Sequence, residues 1–243
     1  MQLPNLRSWV GTHEPPQTLP PVTFPSLEEL RLEPAALPWL HLLASHRGET
    51  IQKGFTPVVS RTNIRETLKS LECTGINTID SAFASSVANF RNLVDVQVTG
   101  YCLGLTGCIS RITDGDIEDL ATALPRLTSV KLLRPCGLNS GKTTILSLLS
   151  LSIHCLGLHF LEIHFNTRTI IGDIQRLLDG NFGGNKAKCK LWNLVVGEAP
   201  LEVDEEDIET IVMGLRLIFP CLKTCSGVGQ WESVRTALST FDQ

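Results

Sequence analysis

The sequence predicts an α/β solenoid in which parallel strands line one face and helices line the other. Three observations lead there: a leucine phrase that recurs along the chain, apolar pairs two residues apart within each phrase, and apolar stripes at helical spacing between phrases.

Aligned on its leucine, the phrase reads LRSWVG at Leu6, LEELRL at Leu27, LKSLEC at Leu68, LVDVQV at Leu93, LTSVKL at Leu127, LHFLEI at Leu158, LWNLVV at Leu191 and LKTCSG at Leu222. The template is L-x-x-Φ-x-Φ, with Φ apolar. Two apolar positions separated by one residue are the alternation of a strand buried on one face. From Leu93 onward the leucines are 34, 31, 33 and 31 residues apart, whereas the earlier spacings are 21, 41 and 25. A fixed phrase at a roughly fixed period means a stack of supersecondary units, each burying its apolar side against the next.

Helices fill the intervals. Ile117, Leu120, Ala121 and Leu124 form one stripe, and Ile208, Ile211, Val212 and Leu215 repeat its spacing. Thr113 with Asp116 fits a capped helix start, and Asp204 precedes the acidic turn Glu205–Asp207, where negative charge suits the positive end of a helix. Each unit then reads helix, turn, short strand, loop. The segments 11–23 and 45–62 lack a period and read as inter-repeat loops. Trp231, Val234, Leu238 and Phe241 are spaced for a terminal amphipathic helix, with Glu232, Arg235 and Asp242 facing water.

The 243 residues thus read as one repeat domain. Residues 1–23 hold an incomplete first repeat and loop, 24–222 the repeats, and 223–243 a C-terminal capping helix.

Composition narrows the function classes. Apolar residues make up 42% and charged residues 19%, the balance of an ordered soluble protein, and a net charge of −4 gives no footprint for nucleic acid or anionic lipid. The start, MQLPNLRSWVGTHEPPQ, lacks the basic and apolar regions of a signal peptide. The most apolar run, Thr144 to Phe160, is broken by Ser147, Ser150, Ser152 and His154 and falls short of the roughly 20 residues that span a bilayer. Eight scattered cysteines then read as reduced, mostly buried thiols of a cytoplasmic or nuclear protein.

RPCGLNSGKTT, Arg134 to Thr144, invites comparison with a phosphate-binding loop. That loop needs four residues between its glycines so that successive N–H groups wrap the phosphates. Gly137 and Gly141 enclose three, and no apolar strand ends in an Asp that would hold Mg²⁺. The expected reading is a helix-starting loop capped by Asn139 or Ser140; the alternative is a nucleotide-binding protein using Gly137–Thr144.

His154, Cys155, His159 and His164 lack the paired spacing of a zinc site, as do Cys221 and Cys225. The acidic run 201–209 suits a solvated first helical turn, with a divalent-ion site or a docking patch for a basic partner as the other readings. There is no G-x-S-x-G and no H-E-x-x-H. No catalytic residue, cofactor or metal is expected.

Side chains between the buried apolar positions would point out of the strand face: Glu29, Arg31, Asp95, Gln97, Ser129, Lys131, Phe160, Glu162, His164 and Asn193. Charge, aromatic and amide groups in this mixture suit a protein surface better than a small-molecule pocket.

LATALPRLTSVKLLRPCG, TTILSLLSLSIHCLGLHFLEIHFNTRTIIGDIQRLL and DIETIVMGLRLIFPCL resemble the leucine-rich-repeat-like C-terminal region of fungal, mushroom-type F-box proteins. The resemblance runs from about Phe24 to the end and is best from Thr113 to Leu222. It implies a substrate-binding part of a ubiquitin ligase receptor whose partner is an unknown protein; the other reading is a generic leucine-rich-repeat-like scaffold unrelated to ubiquitination. It also implies contact with a Skp-type adaptor through an upstream F-box, since no L-P-x-E-type segment occurs in these residues. With such a domain absent, the edge carrying Leu3, Leu6 and Trp9 would be uncovered and prone to association.

Overall fold

The computed structural model describes residues 7–12, 26–36, 40, 64–75, 78–99, 109–132, 142–180 and 189–240. Every phrase enters a strand two residues after its leucine, giving β1 (Ser8–Gly11), β2 (Glu29–Leu32), β3 (Ser70–Cys73), β5 (Asp95–Val98), β7 (Ser129–Lys131), β8 (Phe160–Ile163), β9 (Asn193–Leu201) and β10 (Thr224–Gly229). These eight strands pair in parallel in chain order, β1-β2-β3-β5-β7-β8-β9-β10, and the sheet is open, with β1 and β10 at its ends. The fold is α/β.

One backbone device sets this order. The carbonyls of Arg7, Glu28, Lys69, Val94, Thr128, His159 and Trp192, each one residue after its leucine, accept two N–H bonds from the next phrase, at 2.8–3.3 Å. The bend that leads each chain segment into the sheet is therefore hydrogen-bonded to the bend before it, whatever the length of the intervening linker.

The leucines at 27, 68, 93, 127, 158, 191 and 222 are buried. So are the two apolar rows that cross the strands, Leu30-Leu71-Val96-Val130-Leu161-Leu194-Cys225 and Leu32-Cys73-Val98 continuing into Ile163-Val196. They share one hydrophobic cluster with the stripes of the helices.

After the 3-10 turn Pro34–Ala36, the helices are α1 (Ile64–Thr67), α2 (Ser81–Val87), α3 (Asp114–Ala123), α4 (Ile145–His154), α5 (Ile170–Asp179), α6 (Glu205–Ile218) and α7 (Trp231–Thr240). From α2 to α7 each packs on the next. Ile117, Leu120, Ala121 and Leu124 are buried as the spacing predicts, as are Ile208, Ile211, Val212 and Leu215. Trp231, Val234 and Leu238 of α7 are buried too, and the Trp231 ring meets Phe165 edge-on at 6.1 Å between centroids. Phe241 and Asp242 lie outside the described residues, as do Leu3 and Leu6.

Helix starts are joined to one another. Thr113 and Asp116 form a full capping box, and Asp116 Oδ2 also accepts from Ser81 Oγ of α2 at 3.1 Å. One residue into α3, Asp114 accepts from both the N–H and the hydroxyl of Thr144, at 2.7 Å each, which ties the cap of α4 to α3. Three helices are thus pinned at one end. Burial raises the Asp116 carboxyl, but bonds from the Thr113 N–H, the Thr113 hydroxyl and Ser81 outweigh it and hold the group below its ordinary value.

One start expectation needs correction. α4 begins at Ile145 with Thr144 as cap, in place of Asn139 or Ser140, which lie outside the described residues; Asp114 already supplies acceptors for Thr144, so that residue stops the helix there. Asp204 holds the cap position of α6 ahead of the acidic first turn Glu205, Glu206 and Asp207, as the sequence predicts, and its side chain makes no capping hydrogen bond. A second, two-stranded parallel ladder, β4 (Thr78–Ile79) with β6 (Ile109–Ser110), leads into α2 and α3, and a Thr113–Lys142 bridge continues the same style of pairing toward α4. Among the described residues no helix is long and apolar enough to cross a membrane.

Candidate recognition face

Parallel pairing in register turns single strand positions into rows across the sheet. The first row runs Glu29-Ser70-Asp95-Ser129-Phe160-Asn193-Thr224, and the second Arg31-Glu72-Gln97-Lys131-Glu162-Val195-Ser226. Nine of the ten residues expected on the face fall in these two rows: Glu29, Asp95, Ser129, Phe160 and Asn193 in the first, Arg31, Gln97, Lys131 and Glu162 in the second. Applying the template to LKSLEC also yields Ser70 and Glu72, which complete the rows.

The face is internally paired over much of its width. Arg31 Nε lies 3.0 Å from Glu72, Lys131 Nζ 3.4 Å from Glu162, and Ser70 Oγ donates to Asp95 at 3.3 Å. Thr224 Oγ1 donates to Asn193 at 3.1 Å. Glu29 and Arg31 are exposed, whereas Asp95, Gln97, Ser129, Lys131, Phe160 and Asn193 are half-buried.

Glu162 and His164 depart from the expectation of open side chains, with only 3% and 5% of their surface exposed. His164 lies one residue past β8, beside Gly197 of β9. A Cβ at Gly197 would come within 2.9 Å of the imidazole Nδ1, so the missing side chain is what lets the ring lie there. The His164 carbonyl accepts from Thr143 Oγ1 at 2.7 Å.

That last bond bears on the phosphate-loop spelling. Thr143 follows Lys142 where a phosphate loop keeps a hydroxyl for Mg²⁺. Here it is 2% exposed and its hydroxyl is committed to the His164 carbonyl. Residues 133–141, most of the loop, lie outside the described residues.

The cysteines behave as core groups. Cys155 and Cys189 direct their thiols at carbonyls of the preceding unit, 3.5 Å to Leu124 and 3.4 Å to Cys155. Burial pushes the Cys73 thiol up to about 12, with the charge of Glu72 adding to it, and pushes Cys155 up to about 12. Cys189 and Cys225 are raised by burial as well, and Cys221 alone of the five described cysteines is exposed. Cys155 and His159 belong to one unit but point differently, Cys155 into the core and His159 outward. No group of three His, Cys, Asp or Glu side chains converges as a metal site among the described residues.

One part of this surface lies outside the expected set. Trp192, directly after its leucine, is 47% exposed. It sits between exposed His159 and Lys223, because the His159 carbonyl accepts from its N–H at 3.2 Å and its own carbonyl accepts from the Lys223 N–H at 3.0 Å. The template counts the third and fifth positions as outward, yet the second also escapes the core at the bend. An aromatic residue there is the signal that would have found it.

No family model matches the chain, and no curated protein matches it.

Proposed function

We propose that this protein is a non-catalytic protein-recognition scaffold: an irregular, leucine-rich-repeat-like solenoid whose strand face holds a partner protein. The observation that supports it best is the chain-ordered parallel sheet, whose two rows carry acids, bases, two amides and an aromatic ring over seven strands. Such breadth and mixture match a protein surface. The engaged Thr143 hydroxyl supports this reading over nucleotide binding.

Following its resemblance to fungal F-box proteins, we assign the chain the substrate-binding role in an F-box-type ubiquitin ligase receptor, in cytoplasm or nucleus. Contact with the Skp-type adaptor falls to a segment outside these residues.

Two comparisons test the assignment. Proteins retained by the wild-type chain should be lost by an Asp95→Lys, Ser129→Arg double variant, which changes the centre of the face and spares the core. They should also become ubiquitylated when the receptor is co-expressed with its adaptor. Retention undiminished by the double variant overturns the face; adaptor binding by residues 1–243 alone overturns the division of labour.

A further inference from the structure

We infer that the strand face has an anchor at Trp192, built to seat an apolar side chain of an extended, acidic segment of the partner protein. The inference rests on the recognition reading above and names the chemistry of what is recognised.

Large aromatic surface is normally the first thing a fold hides. Trp231 is fully buried, whereas Trp192 keeps nearly half its surface in water, and Leu156 on the neighbouring turn is also 47% exposed. The Lys190 N–H donates to the Leu156 carbonyl at 3.2 Å, which brings that turn beside the stretch leading to Trp192. Half-exposed tryptophan with adjoining aliphatic surface is the composition of interface anchors, which carry a large share of binding energy.

Charge selects the partner. Lys190 and Lys223 are exposed on either side of Trp192 in the chain and across the sheet, with exposed His159 in the same lateral row. None of the three has an ion pair or a side-chain hydrogen bond among the described residues. Elsewhere on the face Arg31 is matched to Glu72, Lys69 to Glu28 and Lys131 to Glu162. The cations around Trp192 are therefore open to carboxylates from outside, and such charges guide encounter and fix register.

Geometry sets the length. His159, Trp192 and Lys223 occupy three adjacent strand positions, so the row spans about 10 Å, the reach of about three extended residues. The fitting segment places one apolar side chain on the indole and carboxylates within two residues on either side. Single-stranded nucleic acid also stacks on tryptophan among cations. A phosphate backbone is charged along its whole length and, beyond the three-position row, would run onto the acids Glu29, Glu72 and Asp95, whereas the carboxylates of the short segment stay beside the cations.

Selection of a random short-peptide library on the whole chain tests this. Enriched peptides should be acidic with one aromatic or aliphatic residue flanked by Asp or Glu. Their affinity, read by fluorescence polarisation, should fall by about tenfold or more in Trp192→Ala, fall in Lys190→Glu with Lys223→Glu, and be largely retained in Trp192→Phe. All three sites are exposed, so circular dichroism should be unchanged. Peptides that ignore Trp192→Ala but are lost in Asp95→Lys, Ser129→Arg would overturn the anchor and leave the recognition reading standing. Absence of any enrichment, or tight binding of a single-stranded oligonucleotide in place of peptides, would overturn the anchor.

Discussion

The two ends of the sheet are built from the same phrase but supported differently. From β5 onward the units repeat every 31–34 residues and carry helices of 10–14 residues, each packed on the next. Before β5 the spacings are 21, 41 and 25, and the described helical pieces are one 3-10 turn, the four-residue α1 and the seven-residue α2. Yet β2, β3 and β5 pair in unbroken register, and the Glu28 and Lys69 carbonyls accept the same two bonds as those of Val94 and Thr128. Entering the sheet thus requires only the phrase, that is, a buried leucine and a bend whose carbonyl is shared with the next unit. Regular spacing accompanies the longer helices: α2, in the 25-residue unit, has seven residues, and those that follow have 10–14.

The largest effect expected from this contrast is on stability. Leu161→Ala, in the regular half, should cost about 2–5 kcal/mol as a buried leucine replaced without collapse of the site. Leu30→Ala should cost less, because the change falls near the end of the array, where unfolding can remain local. Urea denaturation with hydrogen exchange resolved by strand decides it: β2 amides should exchange ahead of β8 amides. Equal costs and simultaneous exchange would abolish the distinction between the halves.

Glycines sharpen it within the regular half. At Gly227 of β10 a Cβ would come within 2.5 Å of the Trp231 indole and 2.9 Å of the Val196 carbonyl, so Gly227→Ala should destabilise by about 1–3 kcal/mol. At Gly172 of α5 a Cβ would meet nothing within 4 Å, and Gly172→Ala should stabilise by up to about 1 kcal/mol through helix propensity. Melting temperatures that move in the same direction would contradict the packing of α7 against β10.

A smaller effect concerns acid. The Asp116 carboxyl is held below its ordinary value, so its contribution is present above the usual carboxylate range near pH 4 and is lost as pH falls through the lower folded value. Asp116→Asn should be less stable than wild type at neutral pH, with the gap closing under acid. A gap independent of pH would mean that the links from Thr113 and Ser81 do not depend on its charge.

Thiol labelling gives the mildest test. At mildly alkaline pH Cys221 should alkylate in the folded chain. Cys73, Cys155, Cys189 and Cys225 should stay protonated and unlabelled until urea exposes them, as mass spectrometry of the peptides would report.

The strands were legible because each described leucine that anchors a phrase is buried, and burial is what patterning records. The ladder of β4 and β6 was not legible, since two-residue strands have no period to read. β9 runs on to Leu201 through Gly197 and Pro200, residues that read as strand breakers; Pro200 tolerates its place because its carbonyl, accepting from Thr167 at 2.9 Å, is the group in use. On the face, alternation located Glu29, Arg31, Asp95 and Gln97, but not the burial of His164, which depends on a missing Cβ one strand away. Nor did it locate Trp192, which turns outward at the bend where alternation has not yet begun.

The central claim is that the strand face, and not the helical side, is what the partner touches. A photo-reactive amino acid at Gln97 or Ser129, compared with one at exposed Glu118 of α3 or Glu206 of α6, tests it in living cells. The expected result is one crosslinked protein common to the two face positions and absent from both helix positions. Crosslinks from Glu118 or Glu206 with none from Gln97 and Ser129 would contradict it.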